Sequence, residues 1–189
     1  MEGYCAEARK PLLKSENLSA ELTLVARERT DMSKLVAAAE QACTSIRWMI
    51  RRDMPEVLEI ERQSFAAPWA EQDFLRCIGQ RNCIGMVAEQ GEEVVGFMVY
   101  QLHHGKLHLM DLAVHPAHRR WGIGAQMVAK LVSKLSLSHR RKRITLIVAE
   151  TNLGAQLFFR AQGFRALRVL RGHLNDGAED AYLMRYRLG

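Results

Sequence analysis

Residues 112–125, with the sequence LAVHPAHRRWGIGA, connect the end of an apolar strand to the start of a helix. Pro116 ends the strand, and Gly122 and Gly124 open a helix whose apolar residues recur at three- and four-residue steps. The first turn of a helix exposes unpaired backbone N–H groups and the positive end of the helix dipole, which together bind phosphate. The stretch therefore predicts a phosphate-binding turn, while a purely structural turn fits the same residues. Its spacing matches neither the P-loop nor the dinucleotide-binding glycine motif.

The residues on either side of this turn predict an α/β domain, with a mixed sheet of the α+β kind, from Ser45 to the end of the chain. Strands are indicated by alternating or continuous apolar residues, and helices by apolar residues three or four apart. In chain order the prediction is a strand over 46–51, helices from Asp53 and over 71–78, strands over 83–89, 93–103 and 107–115, a helix over 122–138, a strand over 143–149, a helix over 152–162, and strands over 163–170 and 181–188. This order, βααβββαβαββ, is typical of one sheet with helices on both faces.

Residues 1–44 differ from the rest of the chain. They carry a net charge of −1, whereas the remaining residues carry +7. Asp31 is expected to cap a helix whose apolar face is mostly alanine. We therefore predict that residues 1–44 form a weakly ordered or helical N-terminal extension, and that residues 45–189 form the main domain.

The overall charge of +6 predicts an anionic partner. Between Leu112 and Ala149 there are eight Lys or Arg residues and no Asp or Glu, which favours a phosphorylated small molecule bound at the glycine turn. The basic run over 139–143 has no aromatic residues beside it for base stacking, so we expect no direct nucleic-acid binding. An acidic acceptor surface, such as a ribosomal particle, is an alternative partner for this charge.

The remaining composition indicates a cytoplasmic protein without metal. No apolar run is long enough to span a bilayer, so no membrane association is expected, and the N-terminus lacks the apolar segment of a secretory signal. The four cysteines, Cys77 and Cys83 among them, form no CxxC pair and no disulfide framework, so we expect reduced thiols. The histidines between residues 103 and 118 follow no metal-ligand spacing.

Arg119-x-x-Gly122-x-Gly124, following the strand that ends LAV, resembles the [Q/R]-x-x-G-x-[G/A] signature of the GNAT acetyltransferase superfamily. Asn152 at the start of the next helix and Gly163-Phe164 at its end also fall at the family's positions. The resemblance runs from Ser45 to the end of the chain. It implies the GNAT-like acyl-CoA acyltransferase fold with the element order given above.

Two further segments look like those of the N-terminal protein acetyltransferases, in particular the bacterial enzymes that modify the N-terminal alanine of a ribosomal protein. They are Phe65-x-x-Pro68-Trp69 and the segment Asp176-Gly-x-Glu-Asp180. The resemblance implies direct transfer of acetyl from acetyl-CoA to a primary amine, such as a protein N-terminus. Acetylation of a small-molecule amine or of a lysine side chain is an alternative.

The resemblance also implies where acetyl-CoA binds. The strand backbone would stabilise the charge that develops on the thioester carbonyl, the amides of the glycine turn would bind the pyrophosphate, and Asn152 would hold the pantetheine arm. The implied cofactor-binding residues are Leu112, Ala113, Val114, Arg119, Arg120, Trp121, Gly122, Ile123, Gly124, Ala125, Asn152 and Phe159.

The sequence departs from the family at two positions of acid–base chemistry. Ile147 stands where relatives carry an acid or a histidine, and Phe159 stands where they carry a tyrosine. His108, on the strand before the glycine turn, is the candidate base because imidazole titrates near neutral pH; a half-buried sheet histidine is the alternative. Asp111 on the same strand would face the opposite way if the strand is regular. With both usual groups missing, a catalytically degenerate CoA-binding module is a further alternative.

Three residues are candidates for binding the acceptor. Phe65 and Trp69 could form walls of the acceptor groove, although aromatic residues after a helix are also common core residues. His173, expected in the loop before the last strand, falls where relatives carry acceptor-binding tyrosines, and a plain surface loop fits it equally well.

Overall fold

The structure is a computed structural model that describes residues 44–137 and 141–188. The predicted N-terminal extension, with the helix from Asp31, therefore lies outside the described residues except for Thr44. Of the basic run, residues 141–143 are described.

The described residues form seven strands and four helices, joined by short turns. They are β1 (Ser45–Trp48), α1 (Met54–Ser64), α2 (Glu71–Ile78), β2 (Cys83–Gln90), β3 (Glu93–His103), β4 (Lys106–Val114), α3 (Ile123–Ser136), β5 (Arg143–Ala149), α4 (Leu153–Ala161), β6 (Arg165–Leu174) and β7 (Glu179–Arg187). This is the predicted order βααβββαβαββ. Gly163, the second residue after α4, has φ = +86°, which confirms the left-handed helix end expected there.

The strands form one mixed sheet in the order β1-β2-β3-β4-β5-β7-β6. Neighbouring strands are antiparallel except for β4 and β5, which are parallel. Parallel neighbours need a long crossover connection, and α3 provides it. The single parallel pair lies at the centre of the sheet, and the glycine turn follows the C-terminal end of β4, at the opposite end from the paired residues.

Helices cover both faces of the sheet, as predicted. On one face, Val57 of α1 and Phe74 of α2 are fully buried against residues such as Phe97 of β3. On the other face, Met127 of α3 and Phe159 of α4 pack with other apolar strand residues. Because side chains alternate along a strand, the residues of β4 divide between these two faces.

Asp53 directly precedes α1, as predicted, but its side chain does not cap that helix. The buried carboxylate instead accepts two hydrogen bonds from the Arg47 guanidinium, at 2.7 and 2.9 Å, and one from the Ile50 N–H at 2.8 Å. Arg47 also donates to the Glu89 carboxylate at 2.8 Å. β1 consequently ends at Trp48, earlier than its alternating pattern suggests, and the chain turns sharply into α1.

Cys77 and Cys83 form a disulfide that joins the end of α2 to the start of β2. The expectation of reduced thiols is therefore wrong for this pair. The turn after α2 brings the two Cα atoms to 5.8 Å, well within the range of disulfides. Their separation along the chain gives no hint of this distance.

The described helices include none that is both long enough and apolar enough to cross a membrane.

Candidate active site

A cleft opens between β4 and β5, because these strands pair only at their first residues. Residues 106–108 pair with 143–145, after which β4 continues to Val114 and β5 to Ala149 without further pairing. Strands that separate in this way leave backbone N–H and C=O groups directed into the gap, where an extended ligand can bond with them. Leu112, Ala113 and Val114, predicted to bind the cofactor, belong to the separated part of β4.

A β-bulge interrupts β4 beside this cleft. Val99 of β3 pairs with Asp111 and Tyr100 pairs with Leu109, so Met110 has no partner residue in the ladder. The extra residue reverses the alternation of side chains, as bulges do. His108 and Asp111 therefore share the face that α1 covers, and the expectation of opposite faces is wrong because the strand is not regular.

His108 lies at the closed end of the cleft, in the last paired position of β4. Its Nδ1 is 3.0 Å from Thr145 Oγ1 and 3.2 Å from the Thr145 carbonyl oxygen on β5. The side chain is half-buried. Burial lowers the pKa of His108, and the nearby positive charge of Lys106 acts in the same direction. His108 is thus neutral at physiological pH, as a general base must be before it accepts a proton.

The start of α3 lies just beyond the C-terminal end of β4 and forms the mouth of the cleft. Gly122 precedes the helix with φ = +80°, a left-handed conformation that favours glycine, and Arg120 also has a positive φ of +70°. Ile123 is buried, so only its backbone can meet a ligand. A Cβ on Gly124 would lie 3.2 Å from Phe158 Cζ, so this glycine permits α3 and α4 to pack closely.

Of the two arginines in the glycine turn, Arg119 is already engaged within the protein. Its Nε donates to the Val114 carbonyl oxygen at 3.0 Å and its Nη2 donates to Ser64 Oγ at 2.9 Å. These bonds tie the end of β4 to the end of α1. Trp121 packs at the edge of the core with its ring 5.5 Å from that of His118. Arg119 and Trp121 therefore both have structural contacts within the protein, and binding of pyrophosphate by these two residues stays a prediction.

Asn152 directly precedes α4 and Phe159 lies within it, and this helix follows the open end of β5. Asn152 Oδ1 accepts a hydrogen bond from the Ala155 N–H at 3.0 Å and so caps α4, which leaves the amide NH₂ group available to a ligand. Phe159 is buried among Phe158 and Phe164, at ring distances of 5.0 and 5.4 Å. It fills the core as an apolar ring and offers no proton.

The acceptor candidates Phe65 and Trp69 lie in the segment between α1 and α2. Both are half-buried against the core beneath α1 and α2, and the Trp69 ring packs edge-on against Phe74 at 5.3 Å. His173 was expected in a loop, but it lies near the end of β6, because the strands of the last hairpin are longer than their apolar residues suggest. Its side chain is exposed. The structure therefore places Phe65 and Trp69 on the face of His108 and places His173 on the outer strand.

Sequence reasoning missed Glu61, which forms a buried carboxylate pair with Asp111. Glu61 is 1% exposed, its Oε1 accepts the Trp69 N–H at 2.8 Å, and its buried Oε2 has no hydrogen-bond partner among the described residues. Burial raises the pKa of Asp111 well above its usual value, and the charge of Glu61 adds to the rise. Burial also raises the pKa of Glu61. The sequence does contain a signal for this buried pair, because Glu61 falls at a core-facing position of α1, near Val57 and Ile60.

A surface depression of about 420 Å³ lies elsewhere, between α4 and the strands β6 and β7. Leu157, Tyr182 and Met184 are among its lining residues. Since β5 separates these strands from β4, the depression is not part of the cleft.

Comparison with known proteins assigns the chain to a family. Residues 45–164 match the acetyltransferase (GNAT) family, which covers more than half of the chain. The chain belongs to the GNAT acetyltransferase family. It is accordingly an acyltransferase of the N-acetyltransferase kind, with the fold predicted from the glycine turn.

Individual relatives agree with this assignment. The [ribosomal protein bS18]-alanine N-acetyltransferase of Escherichia coli is 27% identical over 134 residues, covering 70% of this chain and 89% of the relative. An uncharacterised N-acetyltransferase of Methanocaldococcus jannaschii is 32% identical over 140 residues, covering 74% and 88%. The crystal structure of Arabidopsis thaliana NAA60 in complex with acetyl-CoA has a TM-score of 0.70 at 18% identity, covering 77% of this chain and 99% of that one. The predicted resemblance to ribosomal-protein alanine N-acetyltransferases is confirmed.

Proposed function

We propose that this GNAT enzyme transfers the acetyl group of acetyl-CoA to the N-terminal amine of a protein. The observation that carries the proposal is the cleft between β4 and β5, which has a helix start at its mouth and the half-buried His108 at its closed end. The names of similar proteins support the acceptor class, since one acts on the alanine of ribosomal protein bS18. A ribosomal protein and a cytoplasmic location remain predictions for this chain.

Acetyl-CoA would enter the cleft from its open end. The pyrophosphate would meet the N–H groups of residues 120–125 at the start of α3, where the helix dipole favours negative charge. The pantetheine arm would run between the separated strands and accept a hydrogen bond from the free amide NH₂ of Asn152. The thioester would then lie deep in the cleft, toward His108. Arg120 contributes positive charge at the mouth, while Arg119 braces the turn.

The amine must lose a proton before or during its attack on the thioester carbonyl carbon. His108 would accept that proton, the new C–N bond would form as the C–S bond breaks, and the electron pair of the C–S bond would leave with the CoA sulfur. Backbone N–H groups of β4 near the bulge would stabilise the negative charge on the carbonyl oxygen. Because Phe159 has no hydroxyl, the sulfur would leave as a thiolate and take its proton from water. A free thiol has a pKa of about 8.5, so this departure is acceptable near neutral pH.

The acceptor peptide would approach from the face that carries His108, beside the segment between α1 and α2. Phe65 and Trp69 would contact its first residues there. The Glu61 carboxylate holds the backbone of Trp69 at 2.8 Å, which fixes this wall relative to β4 through Asp111.

The test is a measurement of thiol release from acetyl-CoA with a panel of acceptors. Peptides that begin with Ala, Ser or Met are compared with the same peptides blocked at the N-terminus and with polyamines. We expect turnover with free N-termini alone. The control is the variant Glu59→Gln, which changes an exposed carboxyl of α1 and leaves the cleft unaltered.

Two results would contradict the proposal. Turnover with polyamines but not with peptides would make the enzyme a small-molecule acetyltransferase. Binding of acetyl-CoA without turnover on any amine would favour the degenerate CoA-binding module, for which Ile147 and Phe159 are the specific observations.

A further inference from the structure

We propose that Thr145 is a positioning residue that fixes the ring tautomer of His108, with hydrogen on Nδ1 and the lone pair on Nε2. The tautomer follows from contacts within the protein. Its consequence for catalysis rests on the proposed function, in which His108 accepts the proton of the amine.

The Thr145 backbone decides which ring nitrogen carries the hydrogen. Its carbonyl oxygen lies 3.2 Å from His108 Nδ1, and a carbonyl oxygen can only accept a hydrogen bond. Nδ1 must therefore donate. In a neutral imidazole only one nitrogen carries hydrogen, so Nε2 holds the lone pair.

The Thr145 side chain supports the same arrangement. Its Oγ1 lies 3.0 Å from His108 Nδ1 and donates its own hydrogen to the Leu107 carbonyl oxygen at 3.4 Å. With its single hydrogen directed toward Leu107, Oγ1 presents lone pairs to the Nδ1–H group. Thr145 is buried, at 6% exposure, so water does not compete for these bonds. A relay therefore runs from the His108 ring through the Thr145 hydroxyl to the backbone of β4.

The place of Thr145 in the sheet explains why this role falls to it. Thr145 and Ile147 are two residues apart on β5 and so share a face. Ile147 offers no polar group, which leaves the Thr145 hydroxyl as the polar side chain of β5 that meets His108. The described residues give His108 Nε2 no hydrogen bond, and the ring is half-buried, so Nε2 is available to a substrate amine.

The neighbouring charges do not supply another partner for the ring. Lys106, two residues away, carries a positive charge that lowers the pKa of His108 and cannot accept from Nδ1. The His103 ring lies 6.3 Å from that of His108, centre to centre, beyond hydrogen-bond distance for a direct ring contact. Asp111 on the same face is paired with Glu61.

The test measures the tautomer directly by two-bond ¹H–¹⁵N correlation spectra of the full chain with ¹⁵N-labelled histidine. The variant His108→Gln assigns the signal. Thr145→Val removes the hydroxyl with little change of shape, and Thr145→Ser keeps it. We expect the Nδ1–H tautomer in the wild type and in T145S. In T145V the population should shift toward Nε2–H by about fivefold, the worth of one typical net hydrogen bond.

Kinetics give the second readout. In T145V, kcat/KM for a peptide acceptor should fall about fivefold while KM for acetyl-CoA stays constant, and T145S should restore the wild-type value. The acid limb of the pH profile should move to lower pH, because the lost hydrogen bond no longer stabilises the imidazolium. A structural role alone would not shift this limb.

Each failure has a distinct meaning. An Nε2–H tautomer in the wild type would overturn the assignment to Thr145. An unchanged tautomer in T145V would overturn the role of the Thr145 hydroxyl and leave the tautomer to the carbonyl oxygen. A shifted tautomer with unchanged turnover would uphold that assignment and remove His108 as the base. If the wild type acetylates no amine, the proposed function fails, and the spectra still test Thr145.

Discussion

The buried pair Glu61–Asp111 predicts an unusual dependence of stability on pH. Both carboxyls have raised pKa values in the folded protein, mainly through burial, and they share a site. Above a pH of about 5 the unfolded chain has released nearly all of both protons, whereas the folded pair retains one. The folded state then binds one more proton than the unfolded state. Stability must therefore fall as pH rises, by about 1.4 kcal/mol per pH unit, until the folded pair ionises.

The perturbation is Glu61→Gln, which removes the carboxyl of α1 and supplies an amide donor that favours the ionised form of Asp111. The new amide keeps an oxygen for the Trp69 N–H and gains an NH₂ group that can donate to Asp111. The free energy of unfolding is measured by urea titration between pH 5 and 8, and the curve of the variant is subtracted from that of the wild type. We expect the difference in free energy of unfolding, wild type minus variant, to fall by about 1.4 kcal/mol per pH unit as long as the folded pair keeps its proton.

A matched pair of variants sharpens this experiment. Asp111→Asn should remove the same slope, because its NH₂ group can donate to the otherwise unpartnered Glu61 Oε2. Glu59→Gln changes an exposed carboxyl of the same helix and should keep the wild-type slope. Parallel curves for the wild type and E61Q between pH 5 and 8 would refute a proton held jointly by the pair and assign it to Asp111 alone. A difference that rises with pH would refute a proton held at this site.

Three further predictions concern binding and stability. Gly122→Ala should lower the free energy of unfolding by about 1 kcal/mol and weaken acetyl-CoA binding in calorimetry. Gly91→Ala, also at a positive φ with open space around it, should have a similar cost in stability without affecting binding. Equal acetyl-CoA affinity in the two variants would contradict the role of the glycine turn. Asn152→Asp retains the cap of α4 but loses the NH₂ donor, so the urea midpoint should be unchanged and acetyl-CoA binding should be weaker. An unchanged affinity for acetyl-CoA would exclude the Asn152 amide as a ligand of the pantetheine arm. Arg47→Met leaves the buried carboxylate of Asp53 without its main partner and should lower the free energy of unfolding in urea by about 2 kcal/mol. This loss is smaller than for a fully buried ion pair because Arg47 is partly exposed. An unchanged midpoint of urea unfolding would show that the ion pair contributes little to stability.

Local sequence patterns were sufficient to predict the helices and strands and the glycine turn at the open end of the cleft. The glycines after Pro116, the apolar spacing of α3 and the continuous apolar residues of β5 depend on near neighbours in the chain, which is why their structures follow from sequence. The position of His108 on β4 followed from the same reasoning.

The features that escaped prediction depend on contacts between distant segments. The bulge at Met110 has no local signature, because Leu109, Met110 and Asp111 fit a regular strand equally well. The pairing of Glu61 with Asp111 and the disulfide between Cys77 and Cys83 depend on how α1 and α2 dock on the sheet. Thr145 meets His108 only because β4 and β5 pair at this register.

The position of the acetyl group on a single peptide shows directly which amine the enzyme modifies. The peptide begins with alanine, contains one internal lysine, and is incubated with acetyl-CoA and enzyme before fragmentation in a mass spectrometer. We expect an acetyl group on the N-terminal amine, with the yield sharply reduced for His108→Gln. An acetyl group on the lysine side chain, or a peptide that remains unmodified while acetyl-CoA binds, would contradict it.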